Sequence, residues 1–101
     1  MNFIQTRGFD KSRAKSVTFS EAILNPIASF GGLYVPEKLP HLGEEFLNKH
    51  LNSSYKELAL DMLEQFEIDI ETYVLKDALA LYDKFDNPKN PVPVVKVKEN
   101  L

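Results

Sequence analysis

Cysteine is absent from the 101-residue chain, which removes disulfide frameworks, thiolate nucleophiles and cysteine metal sites at once. Long apolar runs are absent too. Nothing approaches the roughly 20 residues needed to cross a bilayer, and the amino terminus carries no apolar signal core. Nor is there an excess of positive charge. With 12 Lys and Arg against 15 Asp and Glu, the net charge is -3, which gives no general attraction to phosphate backbones or anionic lipid. Nucleic acid and membranes are therefore not expected partners, and a cytoplasmic location fits best. The only histidines, His41 and His50, have no second ligand at metal spacing. No P-loop, dinucleotide fingerprint or metal motif occurs, and no Ser/His/Asp or Cys/His constellation can be placed from spacing.

What is present suits one small globular domain, with 44% hydrophobic and 27% charged residues. The stretch from Phe30 to Pro36 organises the rest. Adjacent Gly31 and Gly32 remove the Cβ barrier to positive φ, with Gly32 the expected site of it, so the chain can reverse there. Leu33, Tyr34 and Val35 then suit a short strand that Pro36 ends. Before this turn, Phe3 to Thr6 reads as a first strand. Arg7, Lys11, Arg13 and Lys15 form a basic cluster that reads as a solvated loop. Thr18 and Glu21 have capping-box spacing, and Asn25 before Pro26 should end the helix they start.

Beyond the turn, Leu42 to Leu51 suits a modest helix with Phe46, Leu47 and Leu51 inward. Glu44 and Glu45 complement its first turn, and His50 reads as a cation at its last carbonyls. Ser54 and Glu57 repeat the capping-box spacing and open a helix to about Glu67, with Tyr55, Leu58, Ala59, Met62 and Phe66 on one face. A further helix is expected from Asp69 to Phe85, with Ile70, Val74, Ala78, Leu81 and Phe85 as one stripe and Leu75, Leu79 and Tyr82 beside it. The short link predicts a helical hairpin over about 54–85. Val92 to Lys98 reads as a terminal strand, weakened by Pro91 and Pro93. The expected fold class is α/β: a small mixed sheet of short strands packed by three to four helices. The sheet should join the first and last strands, with Leu33 to Val35 as a further member.

Composition and spacing leave function open at this point. The order Thr6-Arg7-Gly8, then Val17-Thr18-Phe19-Ser20-Glu21-Ala22-Ile23-Leu24, then Gly31-Gly32-Leu33-Tyr34-Val35-Pro36 resembles the amino-terminal domain of threonine synthase. Ser54 to Ala59, Tyr82 to Phe85 and Pro93 to Val95 look like that domain's helices and closing strand. The resemblance spans essentially the whole chain. It implies a parent lyase, dependent on pyridoxal phosphate of fold type II, that converts O-phospho-L-homoserine and water into L-threonine and phosphate.

In that family the cofactor's lysine lies in a segment beyond the closing strand, and no lysine here has the matching context. The resemblance therefore implies an amino-terminal fragment over 1–101, without its own catalytic residues or bound cofactor, which meets the rest of the parent chain. Thr6, Arg7, Gly8, Gly31, Gly32, Leu33, Tyr34 and Pro36 carry over as mainly architectural motif positions. Arg7 is also a candidate contact for a substrate phosphate, since a guanidinium fits phosphate bidentately. An apolar patch near Leu33 to Val35 and Val92 to Val97 should support self-association of the fragment. The alternative is a stand-alone helical protein-interaction module with no catalytic parent.

Overall fold

The computed structural model describes residues 1–7, 16–29 and 31–99. Gly8, Phe30 and the basic positions Lys11, Arg13 and Lys15 lie outside them. Two short strands, β1 (Phe3–Gln5) and β2 (Tyr34–Pro36), pair antiparallel, with Phe3 opposite Pro36, Ile4 opposite Val35 and Gln5 opposite Tyr34. Alternate residues of an antiparallel strand turn their N–H and C=O to opposite edges. Phe3 accordingly bonds away from β2, exchanging N–H···O bonds of 2.8 and 2.9 Å with Val17. The far edge of β1 is thus bridged at Phe3.

That bridge explains the main departure from the expected sheet. Val92 to Lys98 forms no strand and joins no ladder among the described residues. The first strand takes Leu33 to Val35 as its neighbour instead of the terminal segment. Pro91 and Pro93 lack donors and could offer a ladder little. Val94 is 99% exposed and Val97 83%.

Four α-helices lie among the described residues, two of them opening on a capping box. Helix α1 (Phe19–Leu24) starts at a reciprocal capping box between Thr18 and Glu21 and stops at Asn25, ahead of Pro26. Helix α2 spans Glu44–Lys49, and α3 (Tyr55–Gln65) opens on the second capping box, Ser54 with Glu57. Helix α4 (Thr72–Leu79) tightens into a 3-10 turn at Ala80–Lys84. The hairpin over 54–85 is present. It is closed by the Tyr55 and Tyr82 rings, with centroids 4.9 Å apart, and by a 2.7 Å ion pair from Lys56 to Asp83.

The last helix starts three residues later than Asp69. That carboxylate is drawn off to the start of α1, where it accepts from the Ser20 backbone N–H at 2.9 Å and from the Ser20 hydroxyl. The apolar stripe that faces α3 is also the other of the two candidates. Leu75 is buried and Leu79 and Tyr82 half-buried, whereas Val74, Leu81 and Phe85 face out. Two adjacent apolar rows cannot both meet one partner helix, so one stays open. Leu47 and Leu51 likewise point outward from α2, contrary to the expected inward face.

The sheet and α1 share a small core. Phe3 and Ala28 are buried, and the Phe3 and Phe19 rings lie 5.5 Å apart at 54°. No helix among the described residues is long and apolar enough to cross a membrane.

Candidate functional site

The motif residues converge where the chain leaving β1 meets the chain entering β2. The Thr6 N–H donates to the Leu33 carbonyl at 2.8 Å, and the Leu33 N–H donates to the Thr6 hydroxyl at 3.0 Å. Ala28 closes the turn from the other side. Its N–H donates to the Gly32 carbonyl and its carbonyl accepts from the Gly31 N–H, both at 2.8 Å.

The two glycines have different jobs. Gly31 adopts φ +79°, a left-handed conformation that a Cβ disfavours. Gly32 is buried without positive φ, so the expected conformational role falls on its neighbour. A Cβ on Gly32 would lie 2.8 Å from both the Arg7 backbone nitrogen and the Thr6 hydroxyl oxygen. Gly32 therefore permits two backbone segments to approach. Only hydrogen fits in that gap.

Arg7 is exposed, with Nη1 3.9 Å from where a Gly31 Cβ would stand, and it makes no ion pair among the described residues. Gln5 reaches in behind it. Its amide donates to Ser29 Oγ at 3.1 Å, while its Oε1 is buried without a donor among the described residues. Tyr34 and Pro36 occupy β2, and Leu33 stays exposed at the junction. Thr6, Arg7, Gly31, Gly32 and Leu33 are thus brought together. Gly8 falls outside the described residues.

A second cluster was not legible in the sequence. His50 is the C-cap residue of α2, but its ring is pinned between two side chains and not on the last carbonyls as expected. Nε2 lies 2.6 Å from Asp61 Oδ2 on α3, and Nδ1 lies 2.8 Å from Ser53 Oγ. Lys49 reaches the same Asp61 oxygen at 2.9 Å. The His50 side chain is only 7% exposed, and the Phe46 ring packs on it at 4.7 Å. Hydrogen bonds from His50 and then Lys49 lower the Asp61 pKa from 3.8 to about 2, so its carboxylate is ionised at neutral pH. A cleft of about 360 Å³ opens beside the cluster, lined by Lys49, His50, Ser53, Glu57, Asp61 and Glu64 among others. His50 and Ser53 are a helix-end pair, but Asp61 joins them only once α3 folds back. The acidic residues supply no metal cluster among the described residues.

The short sheet, capped helices and glycine junction define a small α/β domain organised around backbone contacts. Residues 2–81 match the family described as threonine synthase N terminus, and the chain belongs to that family. Threonine synthase of Corynebacterium glutamicum is 32% identical over 108 aligned residues, covering 100% of this chain and 22% of the relative. Threonine synthase of Pseudomonas aeruginosa is 38% identical over 66 residues, covering 65% of this chain and 13% of the relative. Threonine synthase-like 2 of Mus musculus is 34% identical over 104 residues, covering 100% of this chain and 20% of the relative. The chain therefore spans between 13% and 22% of the length of these relatives. No solved structure matches it.

Proposed function

We propose that this chain is the amino-terminal, non-catalytic domain of a threonine synthase. The parent enzyme converts O-phospho-L-homoserine and water into L-threonine and phosphate in the cytoplasm. The observation that carries this reading is the family match over residues 2–81, on relatives several times longer.

The surface supports it physically. A self-contained protein of 11.5 kDa exposes about 5,800 Å², whereas this chain exposes 8388 Å². Its radius of gyration is 16.8 Å, against about 13 Å for a compact domain of the same length. The difference in area, roughly 2,600 Å², is of the order that a large permanent interface removes. The open row of Val74, Leu81 and Phe85, with the exposed valines from Val92 to Val97, is what the rest of the parent would cover.

The described residues do not fit pyridoxal phosphate. A lysine that holds it must be neutral enough to attack a carbonyl, which calls for a desolvated site or a neighbouring cation. Lys49, Lys56 and Lys96 are instead paired with carboxylates at 2.7 to 3.0 Å, and no charged residue is buried among those described. The cofactor would belong to the rest of the parent, and no step of the reaction is assigned to this chain. Titrating the chain with pyridoxal phosphate, reducing with borohydride and mapping lysines by mass spectrometry should give no saturable site. One stoichiometrically modified lysine would contradict the reading.

Arg7 is the residue we assign to a substrate phosphate, because it is exposed beside the Gly31 turn and makes no ion pair among the described residues. In the full-length parent, Arg7→Ala should raise KM for O-phospho-L-homoserine by at least about tenfold, the scale of one lost charged hydrogen bond. An unchanged KM would leave Arg7 architectural, like Thr6 and Gly32.

A further inference from the structure

Outside the motif junction, one set of side chains has the connectivity of a base-activated nucleophile. Asp61 is a hydrogen-bond acceptor only, so the 2.6 Å contact to His50 Nε2 places a proton on that nitrogen. In the neutral ring the lone pair is then on Nδ1, which faces Ser53 Oγ at 2.8 Å. The hydroxyl has one other acceptor in reach, the His50 carbonyl, at the longer distance of 3.3 Å. The Ser53 proton thus points at a base whose tautomer is held by a carboxylate. This is the relation that nucleophilic catalysis requires of a serine, a histidine and an acid. It is built across two elements, not along one helix.

We propose that Ser53 is a reactive nucleophile, with His50 as its general base and Asp61 as the residue that positions the ring. The substrate class follows from the cleft. Its volume of about 360 Å³ admits a small acyl ester, and Glu57 and Glu64 on its wall oppose an anionic one. Lys49, on the same wall, is held by Asp61 at 2.9 Å and places a positive charge beside the cleft. A short uncharged or cationic ester is therefore the substrate.

Ser53 Oγ bonds to the acyl carbon as its proton passes to His50 Nδ1, and that proton leaves with the departing alcohol. Water then releases the acid and restores the hydroxyl. This activity is independent of threonine synthesis and of the reading of Arg7.

Histidines and lysines hydrolyse activated esters without any such site, so the decisive probe is an uncharged alkyl fluorophosphonate. Oγ bonds to phosphorus, the P–F bond breaks, and fluoride leaves with the serine proton passing to His50. Peptide mapping of the wild-type 101-residue chain should place the adduct on Ser53. His50→Gln should slow labelling on the order of 10²-fold, the lower range for a lost general base. Asp61→Asn should slow it too, and Asp61→Glu should restore part of the rate. Circular dichroism reports whether each variant is folded. No adduct on the wild type, an adduct on another serine, or a Ser53 rate indifferent to His50 in a folded variant would overturn the proposal.

Discussion

The sheet layer and the α2–α3 corner are held together by different kinds of bond. Around β1 and β2 the contacts are backbone to backbone. The ladder runs from the Glu37 N–H on the Asn2 carbonyl at 2.9 Å to Thr6 on Leu33 at 2.8 Å, and at Gly32 a Cβ would collide with the Thr6-Arg7 segment. At α2 the joint is made of charged and polar tips, Lys49 and His50 on Asp61, while Leu47 and Leu51 face away. A backbone layer tolerates almost no added volume at its closest approach. A polar corner tolerates volume and fails when one partner loses its charge. The two regions should therefore break under opposite perturbations.

The largest effect is expected at Gly32. Its Cβ position already collides with backbone, so Gly32→Ala should destabilise by about 3 kcal/mol, the upper range for overpacking, and Gly32→Val by at least as much. Gly31→Ala meets only an ordinary 3.9 Å contact with Arg7 Nη1, which leaves the left-handed penalty, about 1 to 2 kcal/mol. Denaturant midpoints of the three variants should fall in that order. A Gly31 variant less stable than the Gly32 variant would mean that conformation, not close approach, governs the junction.

Charge removal comes next and should act on the other region alone. Asp61→Asn should raise hydrogen exchange in α2 and leave β1 and β2 protected. Acid should do the same to the wild type. A carboxyl whose folded pKa lies below its unfolded one stabilises the fold above the unfolded value, and that stability is lost as pH falls through the folded one. For Asp61 the window runs from about 4 down to about 2, and Asp69, lowered by its bonds from Ser20, adds in the same direction. Exchange in α2 should rise across that window in the wild type but not in Asp61→Asn.

Smaller again is the cap at Thr18, where alanine removes one side-chain acceptor and should cost about 1 kcal/mol. The weakest effect expected is on association between copies. An exposed, unpaired Val92 to Val97 segment invites pairing, and we propose that Val95→Lys lowers the sedimentation-derived mass at high concentration without changing the circular dichroism.

What the sequence made legible follows the same division. Signals with short-range causes were sound, namely both capping boxes and the stop at Asn25-Pro26, whereas positive φ fell on Gly31 and not on the expected Gly32. Choices between near-equal alternatives were not legible. Two apolar rows on α4 read alike until α3 selects Leu75 and Leu79. Val92 to Lys98 looks like a strand, but pairing needs a vacant edge, and Val17 already occupies the far side of β1. The junction of Thr6, Arg7 and the glycines was visible as residues that match a family order. The corner of His50, Ser53 and Asp61 depends on where α3 returns, and no spacing announces it.

The proposed function requires the chain's exposed apolar surface to be completed by the rest of a threonine synthase. The direct measurement mixes the 101-residue chain with the separately expressed remainder of the parent protein. Binding is followed by calorimetry, and phosphate release from O-phospho-L-homoserine serves as the second readout. A stable complex is expected, with activity that depends on adding the chain and new exchange protection at Val74, Leu81 and the Val92 to Val97 segment. A remainder that neither binds the chain nor needs it for full turnover would mean that the apolar surface serves something else.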